Sequence, residues 1–427
     1  MPFPRIGAHL RNILLLGGGT VLGQALAVGA MPVVTRMYRP DQLGQLGLFL
    51  SFLGFAGIAV TLRLEMAIAS ETSQRSADYL LAISFAMALP VSLLAGLVQL
   101  LMIKCDILSY GSLPAWTAAA MAATLAATGV FVSLRYWFVR QQRFAEISRA
   151  MVAQGAARAV VPIALGAAGC GWIGLLAGEI AGRAMGLYRM LVLAWPRLAD
   201  VVRGWDRTEA AAVLGRNVKL PLIGLPSSLL DALAAALPLP LIASLHGMEA
   251  AGQFLLVHRL AALPAGLVIA SVSDVYHPVL AQTHRDQPAL LRPTVLRIAG
   301  RMLLVASAIY LPLCAAAPAM FAPLFGSQWA RAGVIMAIVA PVHLAALTVS
   351  PLSRVLYIVD RIEYKLVFDV FSLLVPVVSL YGFHLMGWGL YRCLAVYSVL
   401  HLCSSCIYFG LIWKASGSAC PGGAPRC

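Results

Sequence analysis

Long stretches of this chain carry no charged side chain, and that limits what it can fold into more than any other feature. Uncharged runs cover residues 12–35, 42–62, 79–103, 107–134, 302–330 and 332–353. A helix of about 20 apolar residues crosses the ~30 Å hydrocarbon layer of a bilayer with every backbone hydrogen bond satisfied internally. A soluble core could not hide so many such runs. The composition agrees, with 61% hydrophobic and 11% charged residues and a mean hydropathy of +0.86. The chain reads as an all-α polytopic membrane protein.

The run from Asn12 to Thr35 is too long for a signal-peptide core and reads as a retained first helix. Residues 150–195 make twice the length of one span and break at Gly169-Cys170-Gly171, a sequence suited to a tight turn. Residues 370–413 break likewise near Gly387-Trp388-Gly389. Between 218 and 275 two more spans meet at His246-Gly247-Met248-Glu249. The total is about twelve transmembrane helices.

The net charge of +14 does not point to nucleic acid, because the basic residues form short clusters between apolar runs rather than one polar domain. Of the 31 Lys and Arg residues, Arg36, Arg39, Lys104 and Arg331 fall on one set of alternate loops and five fall within spans. The other 22 lie on the termini and the opposite loops. By the positive-inside rule both termini are cytoplasmic. The eight cysteines are scattered and imply no disulfide framework. Cys403 and Cys406 have redox spacing but sit within a span, so they read as packing residues; His401 beside them does not make a zinc site. No metal and no cofactor is expected.

A weak internal repeat divides the chain. Pro32 is followed twelve residues on by Gly44-Gln45, and Pro240 twelve residues on by Gly252-Gln253, an offset of 208 in both cases. Six spans per half preserve orientation, so the halves would be parallel repeats in two six-helix bundles. The implied lobes are 1–208 and 209–415, followed by a Gly/Pro/Cys-rich tail, 416–427, that reads as disordered.

Gly17-Gly18-Gly19-Thr20, Gly23-Gln24, Pro32, Thr35-Arg36, Tyr38, Pro40 and Gly44 resemble the opening of the oligosaccharide flippase family. This is the O-antigen and polysaccharide branch of the multidrug/oligosaccharidyl-lipid/polysaccharide (MOP) exporter superfamily. Leu62-Arg63-Leu64-Glu65, Arg135-Tyr136-Trp137, Arg140, Phe144, Ala251-Gly252-Gln253-Phe254, Arg259 and Pro264 extend the likeness. The resemblance implies two lobes that alternate between inward-open and outward-open states around a cationic cavity in a bacterial inner membrane. The implied cargo is an oligosaccharide on a polyprenyl diphosphate. Membrane lipids, H+ or Na+ as coupling ion, and polysaccharide polymerase or export machinery are the other implied partners.

Ionisable groups inside a span cost roughly 2.5–3.5 kcal/mol each at the centre, so they usually face a wet interior. Here they are Arg158, Arg183, Arg189, Arg259, Arg392, Glu179 and Asp231. Arg392 and Arg189 lie near span ends and can snorkel. Arg183 and Asp231 fall at mid-span, with Arg158 and Arg259 somewhat shallower. Glu179 and Arg183 are spaced for an i,i+4 ion pair, and Asp231 and Arg259 for a bridge between helices seven and eight. The alternative role of Arg183, Arg259 and Arg158 is to line the cavity and meet the diphosphate, with Asp231 and Glu179 as counter-charges or coupling groups. Arg63 and Glu65, at the inner mouth of helix two, are candidates for a cytoplasmic gate.

Two other functions compete. A drug or organic-cation antiporter of the same superfamily should favour acids in its cavity, whereas five in-span bases here face two acids. A membrane polysaccharide polymerase or ligase should carry a long polar outer loop, and the largest such loop here runs roughly from Lys104 to Pro114. No HExxH, GxSxG or phosphate-binding glycine loop stands in a supporting context, so an enzyme is not expected.

Overall fold

The computed structural model describes residues 6–361 and 363–417. Among these the chain is built from helices and connecting turns. The first span is α1 (Ile6–Gly29) continued by α2 (Met31–Met37), and the second is α3 (Pro40–Gly57) followed by the short α4 (Glu65–Ser70). Then come α5 (Gln74–Lys104), α6 (Thr117–Arg140), α7 (Phe144–Ala167) and α8 (Trp172–Arg203). After the connecting α9 (Arg207–Arg216), α10 (Leu225–Ala236) and α11 (Pro238–His246) make the seventh span. The remainder is α12 (Met248–Asp286), α13 (Leu291–Phe325), α14 (Ala330–Val349) with α15 (Arg354–Ile358), α16 (Glu363–Pro376) with α17 (Phe383–Leu385), and α18 (Leu390–Gly417).

Nine of these stretches are long and apolar enough to cross a membrane, counted among the described residues. The polar start of α3 and the charges in α8 keep those two helices outside that set, and with α12 they complete twelve in the expected order. Leu89, Leu93, Leu97 and Leu101 recur every fourth residue along one exposed face of α5, and Leu304 and Leu311 are exposed on α13. Such apolar stripes are unfavourable in water and favourable against acyl chains. The chain is a multi-pass integral membrane protein.

It forms two compact units, 1–252 and 253–427. In the first, Leu80, Leu134, Trp137, Phe138, Ile147 and Met190 build a core at one end of α5 to α8. The seventh span belongs to this unit because α10 and α11 pack on α3. In the second, Leu280, Leu291, Val295, Leu352, Leu356 and Ile412 build the corresponding core. Between α8 and α9, Tyr79 donates its hydroxyl to the Gly204 carbonyl at 3.2 Å and accepts from the Asp206 amide at 3.1 Å. Asp206 caps α9, and hydrogen bonds from the Thr208 hydroxyl and amide hold its carboxyl below the usual carboxylate range.

The three turns expected from sequence are present. Gly169-Cys170-Gly171 separates α7 from α8, Gly387-Trp388-Gly389 separates α17 from α18, and Gly247 separates α11 from α12 with φ +89°. That backbone conformation is one glycine adopts without steric penalty. Ser416 and Gly417 continue α18; the rest of the expected tail, with Cys420 and Cys427, lies outside the described residues. Cys403 and Cys406 are free and exposed on α18, so they do not serve as interior packing.

The 208-residue offset reappears in the packing. Gln45 on α3 donates to the Ser112 carbonyl at 3.5 Å, in the connection that precedes α6. Its repeat partner Gln253 on α12 donates to the Gln328 carbonyl at 2.7 Å, in the connection that precedes α14. Each glutamine thus ties the second helix of its half to the loop before the fourth.

Candidate functional site

Helices α7 and α8 approach closely because α8 places a glycine at every fourth position, Gly174, Gly178, Gly182 and Gly186. A Cβ at Gly178 would stand 2.4 Å from Pro162 Cγ, at Gly182 2.7 Å from Arg158 Cγ, and at Gly186 2.4 Å from Gln154 Nε2. Small residues on one face let two backbones meet where no hydrophobic driving force operates between helices. The other side of α7 meets α1 by the same device, since a Cβ at Gly155 would stand 2.0 Å from the Gly23 carbonyl oxygen. Tyr38 closes the end of this packing by donating to the Pro162 carbonyl at 2.7 Å.

The glycine face brings three in-span charges together. Arg183 Nη1 donates to Glu179 Oε2 at 2.9 Å and to the Glu179 backbone carbonyl at 3.0 Å. Arg158 Nε, from α7, lies 3.2 Å from the same carboxylate oxygen. The contact within α8 is the i,i+4 pair expected from spacing. Arg158 turns that pair into an interhelical group, which spacing alone does not reveal. Counted from Trp172, Arg183 lies roughly 17 Å along α8 at ~1.5 Å per residue, near the middle of a ~30 Å layer.

Two guanidiniums around one carboxylate sum to +1. The side chains of Arg183 and Glu179 are 15% and 10% exposed, whereas that of Arg158 is 30% exposed. A carboxylate shared in this way holds two cations at mid-span that would otherwise repel one another, and leaves Arg158 the more open of the two. Such a fork of donors matches the paired oxygens of a phosphate.

The other expected residues stand elsewhere. Asp231 is exposed on α10, and Arg259 is half-buried on α12 among interacting groups of its own. Arg63 and Glu65 sit where α3 gives way to α4. Leu62 and Arg63 both take positive φ, +51° and +64°, so the second span is broken there by strained backbone. Arg63 Nη1 lies 3.8 Å from Glu65 Oε1, while the Thr61 hydroxyl donates to the other oxygen of the buried Glu65. Arg140 clamps the connection that follows α4, donating to the Thr72 carbonyl and to Gln74 Oε1 at 3.2 Å each, and also to the Glu71 carbonyl. Arg189, near the inner end of its span and largely exposed, pairs with Glu146 at 2.8 Å, and Glu146 also takes Arg149 at 3.0 Å.

One in-span pair escapes the charge count made from sequence. Lys365 Nζ lies 2.6 Å from Oδ2 of the fully buried Asp369 on α16. The sequence reading starts the eleventh span at 370, just past Asp369 and five residues past Lys365, so it leaves out the pair. The i,i+4 spacing was the signal available.

Structures of transporters share this fold. The inward-facing conformation of a multidrug resistance MATE family transporter of the MOP superfamily matches with a TM-score of 0.65 at 14% identity, over 94% of this chain and 95% of that one. The outward-facing conformation of such a transporter matches with a TM-score of 0.56 at 13% identity, over 96% of each chain. A MOP superfamily transporter from Pyrococcus furiosus, described by a "reverse polarity of binding pocket" that "suggests different function", matches with a TM-score of 0.59 at 14% identity, over 96% of each chain. No curated protein sequence matches the chain. The fold is therefore that of MOP superfamily membrane transporters. Within that class, the sequence profile of the polysaccharide biosynthesis protein family matches residues 33–333, and the chain belongs to that family.

Proposed function

We propose that this transporter flips a polyprenyl-diphosphate-linked oligosaccharide from the cytoplasmic to the outer leaflet by alternating access, supplying surface polysaccharide or lipopolysaccharide O-antigen synthesis. The observation that carries the reading is the Arg158–Glu179–Arg183 group, which places net positive charge deep in a span. A diphosphate cannot enter hydrocarbon unaided, because losing its hydration costs far more than one contact returns. A groove that offers guanidinium donors lowers that barrier while the polyprenyl tail stays among the lipids. Binding through a few dispersed charges stays weak enough for release.

In this reading the lobes are 1–208 and 209–415, the membrane is the bacterial inner membrane, and both termini are cytoplasmic. Arg158, Arg183 and Arg259 meet the cargo, Asp231 and Glu179 act as counter-charges or coupling groups, and Arg63 with Glu65 contributes to the cytoplasmic gate. Membership of the polysaccharide biosynthesis family supports the choice of cargo.

The multidrug transporters among the fold neighbours favour a second reading, export of organic cations. The positive sum of the group on α7 and α8 repels a cation and argues against it. The reversed pocket polarity described for the Pyrococcus furiosus protein is a reason to let charge sign, rather than fold, choose the cargo class. A deletion strain separates the two. Accumulated polyprenyl-linked sugar intermediates, cleared by the wild-type gene and not by Arg158→Ala, support the flippase. Unchanged intermediates together with heightened sensitivity to cationic dyes support the antiporter.

A further inference from the structure

At the end of the first unit opposite its α5-to-α8 core stands a pair of tryptophans that takes no part in the charged group. Trp116 precedes α6 and Trp172 opens α8; their ring centroids lie 5.9 Å apart and the rings are inclined by 23°. Trp116 is 47% exposed and Trp172 is half-buried. Two helices thus hold one flat indole surface outward. Gln42 of α3 stands beside it, with Nε2 3.4 Å from the position a Cβ would take on Gly171, the residue before Trp172. Gln42 Oε1 accepts from the Arg39 amide at 3.0 Å, which fixes the side chain with its nitrogen toward Gly171. Next to it the exposed Arg39 and Asp41 pair at 3.0 Å. A lone tryptophan at a span end commonly anchors the helix at headgroup level. Two indoles stacked across two helices, with an amide and an ion pair at the edge, make a preformed surface at a water boundary. In the orientation proposed above, this end faces outward.

We propose that Trp116 and Trp172 form a stacking platform for gluco-configured pyranose rings of the transported glycan. The proposal rests on the glycan-carrier reading and adds a second site, with the ring stereochemistry that site accepts. The face of an indole is negative and its edge positive. A pyranose ring whose substituents are all equatorial turns axial C–H groups, apolar and slightly positive, to each side, and these lie flat on the indole. An axial hydroxyl on that side would lose its water and gain no partner. Hydroxyls at the ring edge meet the Gln42 amide and the Arg39–Asp41 pair, since a few placed polar groups suffice to orient a ligand on an apolar surface.

The platform is in register with the charged group. Trp172, Glu179 and Arg183 stand at i, i+7 and i+11, which the helical repeat puts on one face of α8. Eleven residues at ~1.5 Å each set Trp172 roughly 17 Å from Arg183 along the axis. A short oligosaccharide whose diphosphate stands at Arg183 covers that length. The cargo then has two holds, charge for its diphosphate and ring shape for its glycan. Charge alone accepts any polyprenyl diphosphate, so sugar identity is read at the tryptophans. A single exposed stacking surface binds weakly, which selects a glycan without trapping it.

The test uses the full-length protein in lipid nanodiscs with its eight tryptophans replaced by 5-fluorotryptophan. The fluorine NMR signals of Trp116 and Trp172 are assigned through Trp116→Phe and Trp172→Phe. Three compounds are titrated: methyl β-cellobioside, whose ring substituents are all equatorial; the matching β-mannobioside, whose 2-hydroxyls are axial; and erythritol, a polyol with no ring. The expected result is that the cellobioside shifts these two signals and not the rest, that the mannobioside shifts them less, and that erythritol leaves them in place. Trp116→Leu, at an exposed position, should weaken cellobioside binding roughly two- to tenfold, read from the Trp172 signal. If Trp116→Leu does not fold, the wild-type comparison of the three compounds decides alone. No shift with the cellobioside, equal shifts with all three compounds, or binding unchanged in Trp116→Leu overturns the proposal. A Trp116→Leu protein that loses membrane abundance and keeps its sugar binding marks a headgroup anchor only, and overturns it as well. Farnesyl diphosphate, bare or carrying cellobiose, separates the two readings. If neither lipid binds while the free cellobioside shifts both tryptophans, the platform is supported and the diphosphate cargo fails. If both lipids bind equally and the tryptophan signals stay in place, the diphosphate cargo is supported and the platform fails.

Discussion

Gly44 and Gly252 are packed against one another as equivalents: a Cβ on Gly252 would stand 1.7 Å from the Pro40 carbonyl oxygen, and one on Gly44 would stand 2.2 Å from the Met248 carbonyl oxygen. Pro40 and Met248 are themselves separated by the 208-residue offset, as Gly44 and Gly252 are. Each glycine therefore meets the repeat partner of the residue that the other glycine meets, the mark of a local two-fold contact. The first turns of α3 and α12 can be this close only without side chains. Gly252→Ala and Gly44→Ala should each lower stability by about 1–3 kcal/mol through overpacking, read as a drop in detergent melting temperature. Unchanged melting in both would show that the two helix starts do not meet so closely.

Glu179 holds two arginines, so its loss should be worse than the loss of either. Glu179→Gln leaves Arg158 and Arg183 adjacent with no carboxylate, and a broken buried pair costs up to about 3–5 kcal/mol, less here because Arg158 is partly open. Arg158→Ala leaves Glu179 paired with Arg183 and should change the melting temperature little while lowering export. Equal melting temperatures for the two variants would contradict the shared-carboxylate geometry.

The break between α3 and α4 depends on backbone at positive φ, which costs a residue with a Cβ roughly 1–2 kcal/mol. Leu62→Gly should therefore keep or raise stability, and the β-branched Leu62→Val should lower it. Quantified by membrane abundance, the opposite order would mean that the turn is helical.

Lys414 lies near the end of the described part of α18, after an even number of spans. An alkaline phosphatase fusion at Lys414 should be inactive and a fluorescent-protein fusion bright, as for a cytoplasmic terminus. An active phosphatase fusion would invert the orientation.

Most of the fold was legible because bilayer crossing is written locally, as uncharged runs of sufficient length. The turns were legible too, since Gly169, Gly247 and Gly387 take backbone conformations that other residues avoid. The candidate site was only half legible. The spacing of Glu179 and Arg183 announces their pair, but Arg158 joins it through the approach of α7 to α8. The ladder from Gly174 to Gly186 was present as a small-residue repeat and signalled that approach. Trp116 and Trp172 come from helices far apart in sequence, and no local spacing relates them. Lys365 and Asp369 went unread because a count based on uncharged runs places every span between its charges and overlooks charges the span encloses.

The most direct test of the central claim is a flipping assay in proteoliposomes with a fluorescent disaccharide on polyprenyl diphosphate, comparing the wild type with Arg158→Ala/Arg183→Ala. The account predicts that the wild type moves the labelled lipid to the opposite leaflet and that the inserted double variant does not. Equal rates for the two, or wild-type movement of an organic cation in place of the lipid, would contradict it.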